Sequence, residues 1–248
     1  MSNAPNGAGG TSGAGGTSGS GGSGAAPVNL VCFLVPDTGP CDAAFTRYAF
    51  DSRDGVCRPF VYGGCEGKGN NFASVAECQE ACVPDGIVDF TRCTRNEECV
   101  VATPGCCGGC EPLDFYRFVA VNATHLDEFG LKTCEPGTVC GGCEDYAGPP
   151  TRPWFGAKCE AGHCVVFDAH LAASCTMPSD CRLRDGAACC EGCGEIGADR
   201  LVAISSPETL QAEACSSDTS CPTCDPSYPP GAEADCVSGS CAVDLNLR

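Results

Sequence analysis

Residues 31–83 read VCFLVPDTGPCDAAFTRYAFDSRDGVCRPFVYGGCEGKGNNFASVAECQEACV, with cysteines at 32, 41, 57, 65, 78 and 82 and intervals of eight, fifteen, seven, twelve and three residues between them. So many sulfurs in so short a stretch mark a unit stapled by covalent bridges and not by a large apolar core. The whole chain repeats the theme, since 26 Cys among 248 residues is the composition of a disulfide scaffold and the even count permits complete pairing. An oxidising compartment follows, because cytosolic reductants would hold these thiols open.

At every one of its intervals the stretch resembles the Kunitz-type (pancreatic trypsin inhibitor-like) domain. Gly39-Pro40, Arg47-Tyr48, Phe60-Val61-Tyr62-Gly63-Gly64-Cys65, Asn70-Asn71-Phe72 and Glu77-Cys78-Gln79-Glu80-Ala81-Cys82 agree with the same family. The resemblance implies a twisted β-hairpin followed by a terminal helix, with bridges Cys32–Cys82, Cys41–Cys65 and Cys57–Cys78. Each closes a loop of about 20–50 residues, which in the chain-entropy account stabilises by roughly 3–4 kcal/mol. Phe50, Phe60, Tyr62 and Phe72 are expected to fill the small core. Ser74 to Cys82 should form the helix, with Ser74 as its cap and Glu77 three residues on.

The same resemblance places function in the loop around the second cysteine, Gly39, Pro40, Cys41, Asp42, Ala43, Ala44 and Phe45, backed by Gly63 and Gly64. It implies a substrate-like segment that occupies a serine protease's active site. Trypsin-directed members carry Lys or Arg where this chain has Asp42. A carboxylate entering a pocket with an aspartate at its base leaves two like charges desolvated, so trypsin is disfavoured, and a pocket suited to acidic residues fits better. The second reading is a non-inhibitory surface or adhesion protein built of disulfide-rich binding modules, and Asp42 is the residue that favours it.

On either side of this stretch the composition changes. Residues 1–27 hold ten Gly among Ser, Thr, Ala and Pro, with no charge, which predicts a flexible tether. The remaining twenty cysteines fall into two runs of ten, beginning at Cys93 and Cys175, in which gaps of five, zero, two, five, two and four residues recur. Domains are therefore expected at 28–84, 85–168 and 169–248, the last two being small α+β modules of five bridges each, whose pairing is open among 945 connectivities. Arg117–Asn122 and Arg200–Ser205 read as one short strand each. Asn122 and Ser206 read as helix caps, with Pro207 and Glu208 in the first turn after Ser206. Cys159–Cys164 and Cys236–Cys241, each enclosing a Gly, read as terminal hairpins.

The net charge of −18 disfavours nucleic acid and anionic membranes as partners, and no apolar run is long enough to insert directly into a bilayer. MSNAPNGAGG carries no signal-like pattern, so a secretion signal or lipid anchor is expected to be missing from a secreted or surface-displayed chain. Four C-x-x-C elements imitate a zinc ribbon, but ten cysteines per repeat against four zinc ligands favour disulfides. His125, His163 and His170 are not repeated between the modules and are expected at the surface. No cofactor, no metal, no enzyme activity and a monomer complete the expectation.

Overall fold

β-branched and aromatic residues draw Phe45–Asp51 (β1) and Val56–Tyr62 (β2) into an antiparallel hairpin, in register from Phe45 opposite Tyr62 to Asp51 opposite Val56. The computed structural model describes residues 29–245 apart from 53–54, 68, 84–87, 104–106, 108, 134–136, 144–149 and 224. The Gly-rich segment 1–27 and Cys106, Cys134 and Cys224 lie outside the described residues. Val75–Cys82 (α1) follows, and the Glu77 N–H donates to Ser74 Oγ at 3.1 Å while the Glu77 carboxylate accepts from the Ala73 N–H at 2.8 Å. The cap is the expected one, with its return bond displaced by one residue. Cys32–Cys82, Cys41–Cys65 and Cys57–Cys78 are bridged.

The core of this unit is Cys32, Cys57, Phe72, Val75, Cys78 and Cys82, with Tyr48 and Phe50 packed beside it. Phe60 and Tyr62 are not among these residues, which corrects the expectation that all four aromatics share one core. The register explains why. Phe50 stands opposite Cys57 and Tyr48 opposite Pro59, so with a side-chain period of two, Phe60 and Tyr62 point to the other face. There Tyr62 takes the Arg47 guanidinium over its ring at 5.8 Å, and its hydroxyl accepts from the Gly67 N–H at 3.3 Å.

Each ten-cysteine unit is built to one plan. In the first, Cys99–Ala102 (β3) pairs with Val119–Asn122 (β4), Leu126–Thr133 (α2) follows, and Phe155–Glu160 (β5) turns back as His163–Asp168 (β6). In the second, Arg182–Asp185 (β7) pairs with Leu201–Ile204 (β9), and Pro207–Ala214 (α3) follows under its Ser206 cap. The two-residue strands Gly194–Glu195 (β8) and Pro226–Ser227 (β10) lie parallel, and Ala232–Val237 (β11) turns back as Ser240–Leu245 (β12). Both terminal hairpins close on two residues of positive φ, Ala161 and Gly162 in one and Ser238 and Gly239 in the other, which is the mirror-image turn that matches strand twist. Asn122 caps the turn before α2 and donates its amide to the Arg92 carbonyl at 2.7 Å.

Among the described residues the bridges recur in one order. The first cysteine pairs with the ninth (Cys93–Cys159, Cys175–Cys236) and the second with the tenth (Cys99–Cys164, Cys181–Cys241). The fourth pairs with the seventh (Cys107–Cys140, Cys190–Cys221), Cys110 bridges Cys143, and Cys189 bridges Cys215. The sulfurs of Cys107, Cys110, Cys140 and Cys143 thus join one C-x-x-C element to the other, and none of the four is a thiolate.

Apolar clusters cross both boundaries expected between the cysteine-rich units. Val56 of β2 packs with Phe90, Val121 and Phe129 of the first ten-cysteine unit, and Val165 of β6 lies in the core around Cys78. Trp154 and Phe167 pack with Val202, Ile204 and Leu210 across the boundary expected at 168 and 169.

Polar contacts latch the two ten-cysteine units together at Arg95–Glu97. Arg95 reaches Asp218 at 2.7 Å, the Ser216 N–H and hydroxyl donate to Glu97 at 3.0 and 2.9 Å, and the Thr219 hydroxyl donates to Glu97 as well. Burial would push the Glu97 carboxyl up, but the hydrogen bonds from Thr219 and Ser216 outweigh it and hold the group at about 2. A carboxyl whose folded value is depressed contributes above its ordinary titration range and loses that contribution as pH falls toward the folded value. Protection of the Ser216 amide from hydrogen exchange is therefore expected to fall between roughly pH 4 and pH 2, and Glu97→Gln, which does not titrate, should remove that dependence. An unchanged pH profile in the glutamine variant would refute the latch.

Candidate protease-binding loop

Everything that shapes the loop converges on Gly63. Its N–H donates to the Thr38 carbonyl at 2.6 Å and its carbonyl accepts from the Ala43 N–H at 3.2 Å, so one residue holds the loop on both sides of Cys41. The Cys41–Cys65 bridge adds a covalent tie between the same two segments. A Cβ on Gly63 would stand 1.9 Å from the Cys41 carbonyl oxygen, and one on Gly39, whose φ is +72°, would stand 2.0 Å from the Cys65 oxygen. Glycine is required at both places because two backbones meet there.

Asp37 prepares the entry, its carboxylate accepting from the Gly39 N–H at 3.0 Å in a short local turn. Asp37 was missed in the sequence as a shaping residue, although Asp two positions before Gly is a turn signal. Beyond Cys41 the chain runs exposed through Asp42, Ala43 and Ala44 to Phe45, which is 57% exposed and opens β1. The Phe45 ring lies over Gly64, where a Cβ would meet its edge at 3.1 Å. Gly39, Pro40, Cys41, Asp42, Ala43, Ala44, Phe45, Gly63 and Gly64 are thus brought together, Pro40 to Phe45 and Gly64 as an exposed ridge, Gly39 half-buried at its entry and Gly63 buried behind it. With backbone bonds fixed and side chains free, such a ridge can enter an extended-substrate cleft with little loss of conformational freedom.

Of the three histidines expected at the surface, His170 is exposed and His125 partly so, but His163 corrects the expectation. His163 is 3% exposed, its Nδ1 lying 2.9 Å from the Thr91 hydroxyl and 3.4 Å from Asp89. Burial pulls its pKa down, opposed by Asp89. The second unit carries Ala173 and Ser240 at the positions of Thr91 and His163, so the trio is not a repeated site. His170 stacks on Trp154 at 3.9 Å and pairs with Asp168 at 2.6 Å, and His125 stands 3.4 Å from Glu128. The sulfur clusters whose geometry resembles metal sites, such as Cys93, Cys99 and Cys164, consist of bridged cysteines. Among the described residues no helix is long and apolar enough to cross a membrane.

A disulfide-pinned, exposed, backbone-buttressed loop on a hairpin-and-helix frame defines the small stapled inhibitor domains. The chain belongs, through residues 31–83, to the Kunitz/Bovine pancreatic trypsin inhibitor domain family. It is 51% identical over 51 residues to the Kunitz-type serine protease inhibitor Hg1 of Hoffmannihadrurus gertschi, an alignment covering 21% of this chain and 58% of that protein. It is 48% identical over 52 residues to the trypsin inhibitor of Bombyx mori, covering 21% of this chain and 94% of the inhibitor. It is 49% identical over 51 residues to the carboxypeptidase inhibitor SmCI of Sabellastarte magnifica, covering 21% of this chain and 31% of that protein. The chain therefore spans less than two thirds of Hg1 and SmCI and nearly all of the silkworm inhibitor. These relatives are inhibitors and not enzymes.

Proposed function

We propose that this chain is a serine-type endopeptidase inhibitor whose loop Gly39–Phe45 occupies a protease active site with Asp42 at the primary specificity position. The observation that carries the reading is the double hold of Gly63 on Thr38 and Ala43 around the Cys41–Cys65 bridge. If the bond after Asp42 is cut, both ends stay in place, and religation competes with release. A Gly-rich tether at 1–27, a Kunitz domain at 28–84 and ten-cysteine modules at 85–168 and 169–248 make up the rest, the modules positioning the inhibitor in a secreted or surface-displayed monomer.

A carboxylate at this position selects its target. A protease pocket with basic residues at its base compensates the desolvated charge, whereas trypsin's acidic pocket repels it and an apolar pocket leaves it unpaired. The carboxypeptidase inhibitor among the relatives supports breadth of target within the family. Titration of the oxidised protein against trypsin-like, chymotrypsin-like, elastase-like and acidic-residue-specific serine proteases is expected to show strong inhibition only of the last. Asp42→Arg should exchange that for trypsin inhibition, a change of about 1,000-fold or more from several kcal/mol of pocket electrostatics. An Asp42→Arg protein that inhibits trypsin, paired with a native protein that inhibits none of the panel, would instead support the second reading, a non-inhibitory binding module, which Asp42 itself favours.

A further inference from the structure

In both ten-cysteine units five residues separate the sixth and seventh cysteines. In the second unit this segment is a docking element, Ser216, Asp218 and Thr219 seated on Arg95 and Glu97. Gly137, Thr138 and Val139 hold the places of Asp218, Thr219 and Ser220 in the first. Thr138 through Cys143 are all exposed, and Val139 at 92% is the most exposed large apolar side chain described. Gly137 stands where the second unit offers the Asp218 carboxylate to Arg95, and the stretch Thr138–Cys143, which carries Val139, contains no charged residue.

Two further features favour an incoming partner. Cys140 and Cys143 are bridged to Cys107 and Cys110, so the segment is held at two points three residues apart. Among the described residues a Cβ built on Gly141 or Gly142 meets nothing within 4 Å, and neither has the positive φ that would demand glycine. Packing among the described residues thus does not explain these two glycines. What they supply is bare backbone, whose N–H and C=O groups a strand of another protein can approach closely.

We propose that Thr138–Cys143 is a second protease-binding loop, with Val139 entering the small apolar pocket of an elastase-type serine protease. Addition of the protease serine to the Val139 carbonyl releases the Cys140 amine, which takes up the serine's proton. The upstream end remains covalently attached to the chain that carries α2, and the downstream end is tied through the two bridges. That amine is therefore held where it attacks the acyl-enzyme and restores the peptide bond. The site is separate from the Asp42 loop, and the chain becomes a two-headed inhibitor.

The test is titration of an elastase-type protease with the full oxidised chain, with Val139→Asp and with Asp42→Arg. Inhibition by the native chain and by Asp42→Arg, weakened at least about 100-fold by Val139→Asp through a charge in an apolar pocket, is the expected result. The double variant should still inhibit trypsin, which shows that the fold survives, and native mass spectrometry of Asp42→Arg with both enzymes should give a 1:1:1 complex. Elastase inhibition that survives Val139→Asp, or none at all, overturns the proposal without touching the Asp42 reading. Self-association that Val139→Asp abolishes, with no elastase inhibition, would overturn it in favour of a second copy as the occupant.

Discussion

Gly63→Ala is expected to reduce protease inhibition by the Asp42 loop by on the order of 100-fold or more, since displacements of about 1 Å at a positioned group have effects of that size. The methyl would lie 1.9 Å from the Cys41 carbonyl oxygen, and its other close neighbours are the Cys41 carbonyl carbon and the Thr38 oxygen, both at 2.9 Å. All are backbone, so no rotamer relieves the contact. The Gly63 bonds to Thr38 and Ala43 must open, and the ridge loses its hold on both sides of Cys41 together. Gly64→Ala is the informative contrast. Its φ of +98° strains any side chain, yet its nearest neighbour is the movable Phe45 ring at 3.1 Å, so stability should fall while inhibition is largely kept. Inhibition constants for the two variants on the same target, with hydrogen-exchange protection of the hairpin as the stability reading, separate the effects. Equal loss of inhibition in both would count against Gly63 as the organising residue.

The largest effect on stability is expected from Asn70→Ala. Asn70 is 1% exposed, accepts from the Phe50 N–H at 2.8 Å, and donates to the carbonyls of Leu34 at 2.8 Å, Phe50 at 3.0 Å and Cys32 at 3.4 Å. One side chain thus supplies the backbone partners that strand pairing cannot reach between residues 32–34 and the end of β1. Alanine leaves one donor and two or three acceptors without partners at about 1–3 kcal/mol each, so about 3–5 kcal/mol is expected after relaxation. Asn70→Asp should be no better, because it turns an acceptor toward three carbonyls. Exchange protection of the Tyr48 and Phe50 amides, measured with the bridges intact, reads the loss directly. A variant with native protection there would show that water replaces the amide without cost.

Much of this was legible because it is local. Ser74 and Glu77, Ser206 with Pro207, and the Gly-containing gaps Cys159–Cys164 and Cys236–Cys241 each announce a cap or a turn within a few residues, and each forms. The six-cysteine spacing carried the hairpin-and-helix frame, and the ten-cysteine repeat carried two copies of one plan. What the sequence hid depends on separation. Cys93 finds Cys159 across 66 residues, and no local signal selects it among ten. The face of Phe60 follows from a register that pairs Phe50 with Cys57, and that register is set by the turn between the strands and not by either strand alone. Val56, Trp154 and Phe167 read as ordinary apolar residues of their own units, and only the assembled chain shows that they seal neighbouring ones. His163 was misjudged for the same reason, since Thr91 and Asp89, the groups that satisfy it, lie over 70 residues away.

The latch at Arg95–Glu97 also sets a limit on concatenation. The corresponding corner of the second ten-cysteine unit carries Met177, Pro178 and Ser179. A further copy of the same unit spliced on behind it would present its own equivalents of Ser216, Asp218 and Thr219 to a corner with neither the guanidinium nor the carboxylate that receives them. The joint between the two units is consequently polar-coded and not self-propagating, so a heterologous contact that in other repeats extends into fibres is capped here after one step. Lengthening the array by design would require rewriting three residues before adding a single new domain.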